Sequence, residues 1–425
     1  MPQPRVGERL SAADASNIVI DARDQVNAFL LAGILGVGGF VSVDGSLDME
    51  KLRATIDARL CDPAFKDLVR FSQRVHHDGS LRWEDCKPNL DWHIRLSAPV
   101  SSRQGLADLC ATLMSEPLPL DRPMWELLIV QGTSPEGPGV VLRMHHAVAD
   151  GVSAVRLVQR LFDGSTPAAA PSSTPPATGP SPRRDRGRWR AFATSVSRVL
   201  AMFRTTVPRT VLLGPISAKR GVAFADVPLE TLTRAAKAAG ATVNDALLAA
   251  AMTAVEATLL ADGHPVPSVL PASVPVALPD RGSSGNAVGV MVVQLPAGEP
   301  DTRVRLTRIA AATRLAKPAA RSQGTFELTR TLWGSRLFSW LARRQRFVAL
   351  FVTNVRGPDV TMRVGGAPLV QAWAVAPIQG NVRFGIAAMS YAGRLGVTVH
   401  VDAGVLQEGV AGRALGEELA RIARI

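Results

Sequence analysis

Cysteine is scarce: Cys61, Cys86 and Cys110 are the three in 425 residues. Their odd number and wide spacing argue against a disulfide framework, a CxxC redox pair and a cysteine zinc site. Such thiols point to a reducing, cytosolic setting. Aromatic content is low at 5%, and tyrosine occurs once, at Tyr391. The apolar stretch Ala28 to Val43 is short and broken by Gly33, Gly36, Gly38 and Gly39, so it reads as strand material rather than a membrane span. Glu8, Asp14 and Asp21 come too early for a signal peptide. Zinc-finger, RNP and basic helix-turn-helix patterns are missing, which sets nucleic acid aside as a partner. What remains is a chain that is 47% hydrophobic, long enough for two domains, with a formal charge of +12 that favours phosphates or an acidic membrane face. Alanine, valine, arginine and glycine fill it, as in proteins of GC-rich bacterial genomes.

One stretch carries chemistry: Met144-His145-His146-Ala147-Val148-Ala149-Asp150-Gly151. The apolar run Gly139 to Leu142 before it reads as a buried strand. In Val152 to Phe162 after it, Val155, Leu157, Val158 and Leu161 fall at helical spacing. The histidines therefore stand where a strand ends and a helix begins, a rigid place to expose a reactive group. A histidine there can take a proton from a hydroxyl attacking a carbonyl and return it to the leaving group. Asp150 can turn back to fix the loop, and Gly151 permits a backbone angle that a Cβ forbids. The plainer reading is a polar turn with Asp150 as N-cap and both histidines merely exposed or satisfied. A metal site is disfavoured, because adjacent histidines point apart and no Cys or Glu lies at ligand spacing.

Around this stretch the chain alternates strand and helix. Leu10 to Ala15 opens like a capped helix, Asn27 to Val43 supplies strand material, and Met49 to Leu60 is helical with Leu52, Ile56 and Leu60 on one face. Trp83 to Leu96 alternates loosely, and His93 in it reads as a polar strand position rather than a ligand-facing residue. A second pair, His76-His77-Asp78-Gly79, lacks the three-residue spacer and reads as a polar turn. Leu106 to Ser115 is helical; Pro117 to Glu126 is a proline-constrained corner leading into the strand Leu127 to Gln131. Thr166 to Pro182 is a Pro/Ala/Ser/Thr linker. Arg183 to Arg209 carries an apolar stripe, Trp189, Phe192, Val196, Val199 and Phe203, among arginines. That stripe suits either an anionic lipid surface or packing on the second domain. Thr242 or Asn244 caps the apolar helix Ala246 to Leu260. Arg383 to Ser390 and Leu395 to Asp402 form a hairpin, and Gly404 to Ile425 closes as an amphipathic helix.

The run His145 to Gly151 resembles the HHxxxDG signature of the CoA-dependent acyltransferase superfamily. Pro119-Leu120-Asp121-Arg122-Pro123-Met124-Trp125-Glu126 resembles the PLDRxRPLWE segment of bacterial wax ester synthase/diacylglycerol acyltransferases, two residues shorter and with Met124 for leucine. Leu213-Gly214-Pro215-Ile216 resembles their LNGPI turn, with Leu213 for asparagine, and Thr242 to Asp245 matches TVND. Val274 to Ala277 with Gly285 to Gly289 resembles VPVS…GNxVS without either serine. Thr353 to Pro358 resembles SNVPGP with Arg356 for proline. The terminal hairpin resembles SYxGxLxxGxxxD, with Thr398 at the later glycine. The likeness runs from about Leu10 to the C-terminus.

The resemblance implies an α/β fold of the α+β type: two chloramphenicol-acetyltransferase-like mixed-sheet domains, residues 1–165 and 191–425, joined by the linker 166–190 with a substrate channel between them. It implies His146 as general base, His145 and Asp150 holding the loop, and Gly151 allowing the turn. Trp125, Asn244, Asp245, Asn354 and Arg356 would bind substrate or support the site, with Asn244 near the acyl carbonyl and Arg356 either at a CoA phosphate or only altering its loop. Acyl-CoA is the implied co-substrate, with no permanently bound cofactor. The acceptor would be the hydroxyl of diacylglycerol or a long-chain alcohol, and the setting cytoplasmic, at the inner membrane face or a lipid droplet. Transfer to another hydroxyl or amine, and a non-catalytic lipid-binding paralogue, are the alternatives.

Overall fold

The computed structural model describes residues 6–22, 24–149, 151–163, 207–277, 288–321 and 332–425. The expected linker, most of the basic stretch 183–209, Asp150 and Gly285-Asn286-Ala287 lie outside the described residues. A small sheet joins β1 (Val6–Arg9), β3 (Gln73–His77) and β4 (Leu81–Asp85) in the order β1-β4-β3. The first large sheet contains β2 (Ala28–Leu35), β5 (Ile94–Leu96), β6 (Trp125–Ser134), β7 (Gly137–His145), β12 (Arg363–Val364) and β13 (Ala367–Val375), ordered β12-β13-β2-β7-β6-β5. The second contains β8 (Arg220–Pro228), β9 (Val269–Ala277), β10 (Val288–Pro296), β11 (Leu350–Arg356), β14 (Phe384–Tyr391) and β15 (Arg394–Asp402), ordered β10-β9-β11-β14-β15-β8. Both are mixed: β5 runs parallel to β6, and β11 parallel to β9 and β14.

β2 is apolar on both faces, as befits a strand covered on both sides. Leu30, Ala32 and Ile34 pack with Leu106 and Cys110 of the helix Arg103–Leu113, while Leu31 and Leu35 join Phe40, Leu52 and Ile56. An open edge on such a strand would be a pairing hazard. β13 closes it, with Ala372 opposite Gly33 and Val375 opposite Leu30. A strand from the expected C-terminal domain, residues 191–425, thus completes the sheet of the expected N-terminal one, residues 1–165. β13 also lies against β15. At Gly396 a Cβ would stand 2.3 Å from the Ala372 carbonyl oxygen, so this approach requires glycine. Nearby, Phe224 stacks on Trp373 at 4.8 Å between centroids, and Arg103 lies over Trp373 and bonds Asp226 at 2.8 Å.

The helix Val243–Ala261 is the one among the described residues long and apolar enough to cross a bilayer, and two-thirds of it is buried inside the fold. Leu247, Met252 and Val255 sit with Leu415 and Leu419 of the helix Glu408–Ile422 in the core of the second half. The terminal hairpin turns through Ala392 and Gly393, both at positive φ, a geometry that matches strand twist. Tyr391 is structural: its hydroxyl accepts from the Met362 N–H (2.8 Å) and donates to the Leu369 carbonyl (2.6 Å).

The expected alternation over Trp83 to Leu96 is corrected. β4 ends at Asp85, and Asn89 caps a short helix, Leu90–His93, by accepting from the N–H groups of Asp91 and Trp92. His93 is thus no polar strand residue. It is buried against Trp125, with rings 4.6 Å apart, and its Nδ1 donates to the Trp125 carbonyl at 2.7 Å. His400, equally buried, donates from Nδ1 to the Ala376 carbonyl at 2.8 Å.

Burial pushes both imidazoles down to about 4 from their ordinary 6.5. Between those values the unfolded chain takes up protons that the folded chain refuses, so stability rises with pH across that window. The contribution is complete above 6.5 and lost as pH falls toward 4. The urea midpoint is expected to fall between about pH 7 and about pH 5, and to fall less in His400→Gln. Parallel declines in both proteins would remove His400 from the account.

Candidate active site

β7 runs between β2 and β6 and ends on His145, which lies opposite Ala28. The next two N–H groups go to opposite neighbours: His145 donates to the Met124 carbonyl (3.1 Å) and His146 to the Asn27 carbonyl (2.9 Å). Extended backbone sends successive side chains to opposite faces, so the pair divides. His145 is fully buried and His146 half-buried.

His145 Nδ1 accepts from the Ala147 N–H at 3.0 Å, so in the neutral imidazole the proton sits on Nε2. That nitrogen lies 3.5 Å from Asp21 Oδ2, close enough for electrostatic attraction but outside hydrogen-bond geometry. Asp21 Oδ1 accepts from the Asn27 N–H at 2.8 Å, and the Val148 N–H closes the turn on the His145 carbonyl at 2.9 Å. His145 therefore braces the loop. His146 holds its ring edge-on to Phe29, with centroids 5.1 Å apart, and its carbonyl accepts from Asn17 Nδ2 at 3.3 Å. Asp150 lies outside the described residues. Gly151 opens the helix Gly151–Asp163 as the first helical residue. Arg59 binds the Leu161 and Phe162 carbonyls at that helix's far end, where a cation is favourable. Asp163 accepts from the Arg363 N–H of the second half.

No side-chain hydrogen bond among the described residues joins the remaining expected residues to this loop. Trp125 is buried at the start of β6, and its indole N–H donates to the Phe71 carbonyl at 2.9 Å. It supports the core beneath the site. Asp245 closes a capping box: its Oδ2 accepts from Thr242 N–H (2.8 Å) and Oγ1 (2.8 Å), while Thr242 Oγ1 accepts from the Asp245 N–H (3.2 Å). Its Oδ1 accepts from Thr313 Oγ1 at 2.6 Å, which leaves the carboxylate fully engaged in structure. Asn244 is half-buried in the first turn of the same helix, and no hydrogen bond among the described residues joins it to the histidine loop. Asn354 and Arg356 are exposed near the end of β11, and Arg356 pairs with Asp359 at 3.0 Å.

Sequence reading passed over Asn17, Asp21, Asn27 and Phe29, which shape the histidine turn from more than a hundred residues away. No spacing rule connects them to it. It also passed over the buried carboxylate of Glu126, held by Arg95 (2.7 Å) and Arg143 (2.9 Å), which fastens the proline corner to β7.

Two mixed sheets with a histidine turn at one strand end make up the chloramphenicol-acetyltransferase-like fold. The fold matches the wax ester synthase/diacylglycerol acyltransferase of Marinobacter aquaeolei VT8 with a TM-score of 0.73, at 21% identity, covering 98% of this chain and 100% of that one. It also matches the starter condensation domain of rhizomide synthetase solved with C8-CoA, with a TM-score of 0.55, at 15% identity, covering 98% and 94%. The chain belongs to the wax ester synthase/diacylglycerol acyltransferase family: the catalytic-domain model matches residues 10–207 and 184–247, and the C-terminal-domain model residues 284–420. A Mycobacterium tuberculosis H37Rv protein bearing a diacylglycerol O-acyltransferase name is 31% identical over 405 residues, covering 85% of this chain and 84% of its own. A second protein of that strain, with the same activity in its name, is 27% identical over 433 residues, covering 92% of each. The protein is an acyltransferase.

Because Thr242 and Asp245 cap a core helix, Thr242→Ala is expected to lower unfolding free energy by about 0.5–2 kcal/mol. Turnover per folded molecule should stay at the wild-type level. A fall in turnover without loss of stability would give this helix start a role in the chemistry.

Proposed function

We propose that the protein moves a long-chain fatty acyl group from acyl-CoA to the hydroxyl of diacylglycerol or of a long-chain alcohol, with His146 as general base. The observation that carries this reading is the asymmetry of the histidine pair. One imidazole is buried and committed to the loop's own backbone, while its neighbour is half-buried on a peptide held at both ends. The hydroxyl proton passes to the His146 imidazole as the oxygen attacks the thioester carbonyl. The carbon–sulfur bond then breaks, and the CoA sulfur takes the proton back. The transfer is direct, so no Ser or Cys nucleophile takes part. Family membership and the names of the mycobacterial relatives support the acceptor class, and the CoA-bound condensation domain supports the donor.

Thiol release from palmitoyl-CoA, with diacylglycerol and hexadecanol offered separately, tests this. Release should require an acceptor and fall by about 100- to 10,000-fold in His146→Ala, with acyl-CoA binding retained. Folded wild-type protein that releases no thiol with either acceptor would sink the lipid-hydroxyl reading.

We place the enzyme in the cytoplasm, on an anionic lipid surface such as the inner membrane face or a droplet. The +12 charge supports this, as do Leu315, 82% exposed, and Trp340, 52% exposed under Arg344. In flotation assays the protein should rise with phosphatidylglycerol vesicles, stay behind with phosphatidylcholine, and release in high salt. Equal flotation with both lipids would rule out charge as the attraction.

A further inference from the structure

We propose that Gln379, supplied by the C-terminal half, and Asn27 are positioning residues that hold the His146 peptide through a one-way chain of side-chain amides; the proposal rests on His146 as general base. Gln379 Nε2 donates to Asn27 Oδ1 at 2.6 Å. Asn27 Nδ2 donates to the Asn17 carbonyl (3.0 Å) and to Asn17 Oδ1 (3.1 Å). Asn17 Nδ2 donates to the His146 carbonyl at 3.3 Å, and the Asn27 carbonyl accepts the His146 N–H at 2.9 Å. Both polar groups of the His146 peptide thus end on asparagines, and those asparagines are oriented from across the interface between the halves.

The chain runs in one sense only. Reversing the Asn27 amide would set its oxygen against both Asn17 oxygens and its NH2 against that of Gln379. Asn27 is 1% exposed, so water offers no substitute partner, and a buried amide left unmatched is costly. Sheet register explains why the three residues meet. Asn27 directly precedes β2, His146 directly follows β7 on one side of it, and the 376–383 connection directly follows β13 on the other.

The segment that carries Gln379 is itself anchored to both halves. His400 holds the Ala376 carbonyl, and Gln25 Nε2 donates to the Gly380 carbonyl at 3.0 Å. Asn381 and Gln345 bond reciprocally, at 2.8 Å each way. Gly380 adopts φ +68°, where a Cβ would stand 2.7 Å from the Ala342 carbonyl oxygen. Gln379 therefore approaches Asn27 from a fixed base, and the setting of the base depends on how the halves are docked.

The test uses the full-length enzyme in the palmitoyl-CoA assay, well below its melting temperature. Gln379→Met removes the donor at nearly constant volume. Its kcat should fall by about 10- to 100-fold, the scale expected when a reacting group is displaced by a fraction of an ångström to an ångström, with KM for palmitoyl-CoA unchanged. Gln379→Glu, assayed at about pH 8 so that its ionised carboxylate keeps the length but can only accept, should fall likewise and serves if the methionine variant does not fold. Arg103→Ala breaks a different contact between the halves, the 2.8 Å pair with Asp226, and should keep wild-type kcat. Wild-type kcat in folded Gln379 variants, an effect confined to KM, or an equal loss in Arg103→Ala would each overturn the proposal. His146→Ala run alongside separates the two ideas. If it is inactive while the Gln379 variants are normal, only positioning falls; if it is fully active, the general-base reading falls and positioning with it.

Discussion

The pairing of β13 with β2 is the constraint on which the rest depends. β2 is apolar on both faces and has β7 on one edge, so its other edge must be paired or covered. The partner comes from more than three hundred residues downstream, and accepting it locks the two halves together in one register. That register sets what happens at the strand ends. The histidine turn, the segment before β2 and the connection after β13 come out side by side at the same end of the sheet. The site is a consequence of strand alignment.

Buried polar groups follow the same economy of position. Glu126 lies between Arg95 and Arg143, and Arg305 between Glu256 and Glu418, in the two halves respectively. Buried ion pairs add little net stability over an apolar replacement, but breaking one is expensive. Their effect here is to hold local geometry: Glu126 ties the proline corner to β7 next to the histidines, and Arg305 ties the helix Thr302–Arg321 to the helices Val243–Ala261 and Glu408–Ile422. His145 belongs to the same group. It is a titratable side chain removed from solvent and used as a brace, one residue from the side chain assigned the chemistry.

Much of the architecture was legible from residue pattern. The strand ending near His145, the helix starting at Gly151, the capped helix at Thr242 and the terminal hairpin all announce themselves through periodicity, capping residues and turn chemistry. His93 was misread because a four-residue helix carries no periodic signal, and one Asn89 cap outweighed the alternation around it. Asp245 closes the local capping box with Thr242, but its other oxygen is taken by Thr313 from a different helix, a contact no local pattern predicts.

By itself the sequence determined the elements, the histidine motif and the family, because each is written in residues close together along the chain. Tertiary structure alone decided that β13 crosses to the first sheet, that His145 is buried and His146 less so, and that Asn17, Asn27 and Gln379 form a line. Those facts arise from strand register and from satisfying buried amides between segments tens to hundreds of residues apart. Hydrophobic period and motif spacing act over a few residues and hold no record of such meetings.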